Sequence, residues 1–488
     1  MPSTMRISRR GFLGALGAGA GGAALLNCNT LPPVAVPPPA MTNDLNLRLL
    51  QRITFGPKTE DVARIEAIGY DAFLEEQLDA ASIDDGALAQ RLAPLDTLGL
   101  DISQLRDRAA PIVSAQLVQA TIIRATHSRR QLFERMVEFW TDHFSIYHQK
   151  DPIRILKTID DRDVIRAFAL QDFPSLLLAS AKSPAMLVYL DNNTNVVGSP
   201  NENYPREALE LHSVGIDAGY TQQDVEEFAR ALTGWSVEEQ GTNRGRFVFR
   251  PEDHDTDAKR IMDLSIPAGG GIEDGETALD YLAHHAATAD FIATKLVRHF
   301  IADSAPQKIV DAVAEAFSVS GGNIRTTLRT LFSAESMLAA EPKLKRPFHL
   351  LVDTMRRSGT EISPRPRLPE SLRLMGHLPF DWPAPNGYPN VAAYWSPGLL
   401  NRWNFAFAFA QGLLPGVPTN ARQIADVNDV RETKDVVDLW NQMFHNGEMP
   451  QEEADALLAY IESAPNDDVR RFQESFALAV CGPGFQWH

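Results

Sequence analysis

The sequence predicts a mainly α-helical protein: a large, irregular multi-helix globular body with at most a small β-hairpin near residues 246–266. Three observations carry that expectation. Apolar residues recur at three- and four-residue spacing from Asn43 onward, as in Leu45, Leu49, Ile53 and Val62, Ile65, Ile68, which is the period of one helix face. Helix start signals precede several of these runs: Asp172 before Phe173-Pro174, Thr221 before Gln222-Gln223-Asp224, and Ser183 before Pro184. Extended-chain composition is concentrated in 246–250, around Phe247, Val248 and Phe249, with 261–266 as its expected partner strand.

In chain order, the longest periodic stretch runs over 110–147 and breaks near 127–130. Helices are expected next at 160–170, 174–181, 205–214 and 222–232. Gly269-Gly270-Gly271 closes the extended excursion as a turn. Helices resume over 277–284, 288–301, 307–319 and 324–332. A segment rich in proline and aromatic residues, 364–397, reads as irregular, and helices at 399–413, 434–443, 451–461 and 467–481 complete the chain. No fixed-period repeat is present, which disfavours a solenoid.

The chain has 488 residues, 44% of them hydrophobic. That length supports a sizeable core and two lobes, expected over 43–360 and 361–488. The formal net charge is −17, so phosphate backbones are repelled and a nucleic-acid partner is not expected. Cys28 and Cys481 are the two cysteines, too few for a cysteine-rich metal or haem-attachment pattern.

Ser8, Arg9, Arg10, Gly11, Phe12 and Leu13, followed by a small-residue apolar run to Leu26, form a twin-arginine export signal over 1–27. The run is too short and glycine-rich to anchor a mature chain as a transmembrane helix. Leu25-Leu26-Asn27-Cys28 is similar to a lipoprotein cleavage box, making Cys28 a candidate acylation site; Asn27 departs from the small residue usual there. Residues 28–42 would then form a proline-rich tether to a body spanning 43–488. The expected location is periplasmic or extracellular. Proteins exported by this route leave already folded, which suits a preassembled cofactor or simply rapid folding.

Several strings carry a resemblance. They are Ile53-Thr54-Phe55-Gly56-Pro57; the stretch from Glu134 to Phe144 with Trp140, Asp142 and His143; and the dense run from Asn203 to Gly215 with Arg206, Glu207, Glu210 and His212. Leu232-Thr233-Gly234-Trp235, His254-Asp255 with Lys259, and the 286–300 segment with Lys295 and Leu296 extend it. On these the chain resembles the bacterial DUF1800 family over nearly its whole mature length. Pro205 departs from the small residue usual at its position, harmlessly in a first helical turn. The resemblance implies an exported protein, often encoded beside a sulfatase-like exported partner, and it implies no reaction.

Candidate chemistry is therefore read from the residues. Glu207 and Glu210 share a helix face, with His212 turned about 140° from Glu207. The two carboxylates would bind a divalent metal or share a proton; alternatively Arg206 and Arg230 pair with them. His143, on an aromatic face, reads as a hydrogen-bonded core residue or as a ligand. His254-Asp255 with Lys259 reads as a site or as a loop clamp. The catalytic candidates are accordingly Glu207, Glu210, His212, His254 and Asp255, and the candidate metal set is His143, Glu207, His212 and His254. Trp382, Tyr388, Tyr394 and Trp395 would stack on sugars or clasp peptides, or else seal the core. No Glu-x-x-His, His-Glu-x-x-His or phosphate loop is present, which argues against the di-iron bundle, zincin and nucleotide-hydrolase classes. Two readings stand: an acid–base or metal-dependent envelope enzyme, or a non-catalytic binding and assembly protein working with a sulfatase-like partner on surface polymers.

Overall fold

The computed structural model describes residues 38–363, 367–418, 420–428, 430, 433–463 and 469–488. The twin-arginine segment, Cys28 and most of the 28–42 tether lie outside these residues. Among the described residues the architecture is helical with two small antiparallel ribbons, and no helix is long and apolar enough to cross a membrane.

The long periodic stretch is two helices, Ala110–His127 and Gln131–His143, broken where expected. The 307–319 expectation is met by a helix at Gln307–Val319. Asp172, Thr221 and Asn323 each accept a backbone N–H in the first turn of their helices, satisfying donors that a helix start leaves free. Two segments widen into π-helix, Asp161–Ile165 and Ala208–His212. Such turns are uncommon and concentrate at functional sites.

Three differences from the sequence reading matter. First, the extended residues make two ribbons instead of one hairpin. Strand β1 (Trp235–Val237) pairs with β2 (Phe247–Phe249), and β3 (Lys259–Ile261) pairs with β4 (Leu264–Ile266). The two residues linking β3 to β4, Met262 and Asp263, form a tight turn with Met262 at φ 52°, so 261–266 folds back on itself. Second, Pro347–Arg357 is a helix. Its buried face carries His349, Asp353 and Arg356 among apolar residues, which breaks the apolar period by which helices are recognised. Third, the 364–397 segment contains two short helices, Leu368–Leu374 and Ala392–Trp395.

The core divides into two main apolar groups. One surrounds Trp140, Phe173, Trp235 and Phe300. The other surrounds Phe348, Trp440 and Phe476 and also takes in Leu117 and Ile123, so it draws on residues either side of position 360. Helix Gln131–His143 gives Met136, Phe139 and Trp140 to the first group; helix Pro347–Arg357 gives Phe348, Leu351 and Met355 to the second. The polar residues of these two helices meet between the groups. A small aromatic group, Tyr388, Trp395 and Trp487 with Leu344 and Ala392, closes one side. There the chain end pairs with 343–345: Lys343 N–H donates to His488 O at 2.9 Å and Lys345 N–H to Gln486 O at 2.9 Å.

Candidate active site

Glu138 and Asp142 stand one turn apart on helix Gln131–His143, so their side chains share a face. Both accept from one guanidinium. Arg346, at the start of helix Pro347–Arg357, donates to Asp142 Oδ2 at 2.6 Å and also to Glu138 Oε1. Arg135 donates to Glu138 Oε2 at 3.1 Å, and His349 Nε2 lies 2.7 Å from Glu138 Oε1. His299 Nε2 is 4.0 Å from the same carboxylate.

These surroundings push the two acids in opposite directions. Burial drives Glu138 upward, but Arg346 and Arg135 outweigh it and hold the carboxyl below its ordinary range. Burial also drives Asp142 upward; Arg346 opposes, the nearby Glu138 charge adds to the rise, and the carboxyl ends above its ordinary range. Burial and the two arginines depress His299 and His349 far below the usual imidazole value. They are neutral near pH 7. Glu138, Asp142, Thr141, His377 and Tyr388 help to line a narrow cavity of ≈ 40 Å³, room for a few waters. The 377–388 loop covers it: Gly387 is at φ 71°, and a Cβ there would lie 2.1 Å from Asp142 O.

Beside Asp142 lies a second group. His143 Nε2 is 3.1 Å from His212 O, and the two rings are 6.1 Å apart. The π-helical turn at Ala208–His212 carries His212 inward to Phe144 and Tyr204. His143 Nδ1, both His212 ring nitrogens and the Tyr204 hydroxyl are buried without a protein hydrogen-bond partner. Each such group costs about 1–3 kcal/mol when unsatisfied, an expense that native folds concentrate where polar atoms are used. Lys295, on helix Ala286–Phe300, places its Nζ 5.3 Å from the Phe291 ring centre. Burial lowers its ammonium to about 8, with Asp142 pulling the other way. The same positive charge, after burial, helps depress His212 to about 3.

The other sequence candidates lie elsewhere. Glu207 and Glu210 do come together: burial and then the Glu210 charge raise Glu207. The expected arginine partners are engaged otherwise, because Arg206 binds Glu202 at 2.8 Å and Arg230 binds Asp255 and Glu227, each at 2.8 Å. His254 bonds Thr233 O at 2.8 Å and faces Asp274 at 3.3 Å. Lys259 meets Asp274 at 2.7 Å and Asp257 O at 2.9 Å. His254, Asp255 and Lys259 thus clamp the β2–β3 connection to neighbouring helices, and they share no partner with His143 or His212. Among the described residues, no three or more histidine, cysteine, aspartate or glutamate side chains are grouped so as to hold a metal ion. Tyr388 and Trp395 are buried, their O–H and N–H donating to Leu378 O and Pro389 O. Trp382 is half-buried against Tyr388, and Tyr394 is exposed.

Glu138, Arg346, His349 and His377 were not singled out from sequence. The available signal was the four-residue spacing of Glu138 and Asp142 within a family-like string. A family model described as a protein of unknown function (DUF1800) matches residues 48–487. No curated protein and no solved structure matches the chain.

Proposed function

The chain belongs to the DUF1800 family, and from its own geometry we propose that it is an acid–base enzyme of the cell envelope centred on Asp142. The observation that carries this reading is the pairing of Glu138 and Asp142, two carboxyls of one helix face that share Arg346 and line a cavity; their surroundings push Glu138 below and Asp142 above the ordinary carboxyl range. Environments that drive paired titratable groups apart assign one as the charged partner and the other as proton carrier. Glu138 is the fixed anion. Asp142, with its raised affinity for a proton, is the general acid or base. Arg346 orients both. The alternative role, binding surface polymers beside a sulfatase-like partner, draws less support, because Tyr388 and Trp395 are spent on packing.

The test is turnover in a mixture. Purified protein is incubated with envelope extract, and small molecules and released fragments are followed by mass spectrometry. Asp142→Asn is expected to reduce any conversion about 100-fold or more with little change in the melting transition. Conversion at the wild-type rate by a folded Asp142→Asn protein would remove the assignment.

Export completes the proposal. The Arg9-Arg10 pair directs the folded chain through the twin-arginine route, with Cys28 as the acylation site if the signal is cut before it. Replacing both arginines with lysine is expected to leave the protein in the cytoplasmic fraction. Unchanged appearance outside the cytoplasm would contradict it.

A further inference from the structure

The 377–388 loop is a cover with a fixed base and a tip held by polar contacts. Tyr388 O–H donates to Leu378 O at 2.6 Å, which ties the two ends together. Toward the tip, Gln149 Nε2 donates to Asp381 Oδ1 at 3.1 Å, His148 Nε2 lies 3.4 Å from the same oxygen, and Tyr189 O–H donates to Pro383 O at 2.8 Å. Contacts that are few, polar and near solvent are the kind that water replaces during local opening. Pro379, Phe380 and Tyr388 face inward and line the Asp142 cavity, whereas Pro383 and Asn386 are exposed on the outer side.

Phe380 stands at φ 65°, a left-handed position that glycine holds without clash and a bulky side chain rarely takes. Strain of that kind persists only where the surroundings impose it, and it clusters at ligand clamps. Here it brings the buried ring to the cavity wall, 5.5 Å from Lys157 Nζ. The rest of the wall holds no free charge. Arg166 donates to Glu134 at 2.6 and 2.9 Å, Arg124 lies 3.4 Å from Asp161, and Arg346 serves both Glu138 and Asp142.

We infer that Phe380 is the specificity-determining residue of the Asp142 centre: the loop is a lid that lifts to admit substrate, and the ring closes on a small uncharged carbonyl or hydroxyl group, excluding ionic and bulky ones. This rests on the acid–base reading above. The closed cavity of ≈ 40 Å³ is filled by a few atoms, so the reacting end of a substrate enters only when the loop opens and is enclosed when it shuts. An ionic group would arrive where every counter-charge is already paired, and burying an unpaired charge is strongly unfavourable. A carbonyl or hydroxyl brings no charge and needs only to exchange a proton with Asp142.

The experiment places a thiol on the wall beside Asp142. The full chain carrying Thr141→Cys is treated with methanethiosulfonates bearing a methyl, a benzyl, a cationic aminoethyl or an anionic sulfonatoethyl group. Modification at position 141 is followed by peptide mass spectrometry, each rate being divided by that of free cysteine. With the native loop, the methyl reagent is expected to react roughly tenfold or more faster than the other three. Adding Phe380→Gly, which suits the left-handed backbone, is expected to speed the benzyl reagent about tenfold or more and erase the preference by size. Adding Asp381→Ala, which frees the tip and leaves the ring, is expected to speed all four. Cys481, buried in the other apolar group, reports loosening of the whole fold. A parallel rise at Cys481 would mean that the ring only packs the fold, and it overturns the inference, as do four equal rates with the native loop. That last comparison and Asp381→Ala decide the matter even if Phe380→Gly fails to fold. Unselective labelling while Asp142→Asn still abolishes turnover refutes the gate and keeps the acid–base centre; turnover untouched by Asp142→Asn refutes the centre, and the specificity role with it.

Discussion

Replacing Arg346 with methionine is expected to cost the fold about 3–5 kcal/mol near neutral pH, read as a fall in the denaturation midpoint. Arg346 is almost fully buried and is the shared donor to Glu138 and Asp142. Its removal leaves Glu138 with Arg135, His349 and, at 4.0 Å, His299, and leaves the Asp142 carboxyl, among the described residues, with no cationic side chain in hydrogen-bond reach. Methionine fills a similar volume, so the loss reports charge and not a cavity. Combining Arg346→Met with Glu138→Gln and Asp142→Asn is expected to recover much of the deficit, since amides need no counter-charge. A triple variant as weak as the single one would show that the arginine acts by packing.

The deficit should also depend on pH, in a direction fixed by the shifts. Glu138 lies below its ordinary range, so it contributes stability above the unfolded carboxyl value and loses it as pH falls through the folded one. Asp142 lies above its range and works in the opposite sense, favouring the fold at low pH and ceasing to do so as pH rises through its folded value. Without Arg346 both carboxyls move upward, so each contributes less to the fold at neutral pH than it does in the wild type. The gap between wild type and Arg346→Met is therefore widest near neutrality and narrows as pH drops below about 4. A gap that widens on acidification would refute the assignment of opposite shifts.

Much of the helical frame was legible because it is local. The apolar period located Gln307–Val319, and the break near 127–130 separated the helix carrying His143 from its predecessor. Asp142, His143, His212 and Lys295 all sat in the strings that carry the family resemblance. The pairing that organises them was not legible. Arg346 is about 200 positions from the carboxylates it joins, and its helix turns a mixed polar and apolar face inward, so neither period nor composition flags it. The π-helical turn that carries His212 inward likewise leaves no trace in a spacing argument based on 3.6 residues per turn. His254-Asp255-Lys259 illustrates the converse. Adjacent polar residues in a loop suggested chemistry, whereas Thr233, Arg230 and Asp274, from elsewhere in the chain, turn them into a clamp.

Gly387 gives the second large effect, and it connects the covering loop to the acid it covers. Its φ of 71° lies in the left-handed region, which costs a residue bearing a side chain roughly 1–2 kcal/mol. An added methyl would also lie 2.1 Å from Asp142 O and 2.9 Å from its carbonyl carbon. Those are backbone atoms that cannot swing aside, so either the loop lifts or the end of helix Gln131–His143 shifts. Overpacking of this kind costs a further 1–3 kcal/mol or so, and Gly387→Ala should lower stability by about 3 kcal/mol in all. Gly398→Ala is the matched control, since its φ is −80° and nothing lies within 4 Å of the added carbon; it should stay within about 0.5 kcal/mol of wild type. The functional consequence follows from the same contact. Because the loop presses on the main chain of Asp142 itself, Gly387→Ala should depress turnover even at temperatures where the protein remains folded, while a variant equally destabilised at the distant Arg230–Asp255 clamp should not. Equal losses of turnover from the two would mean that the loop merely stabilises the fold and takes no part in placing the acid.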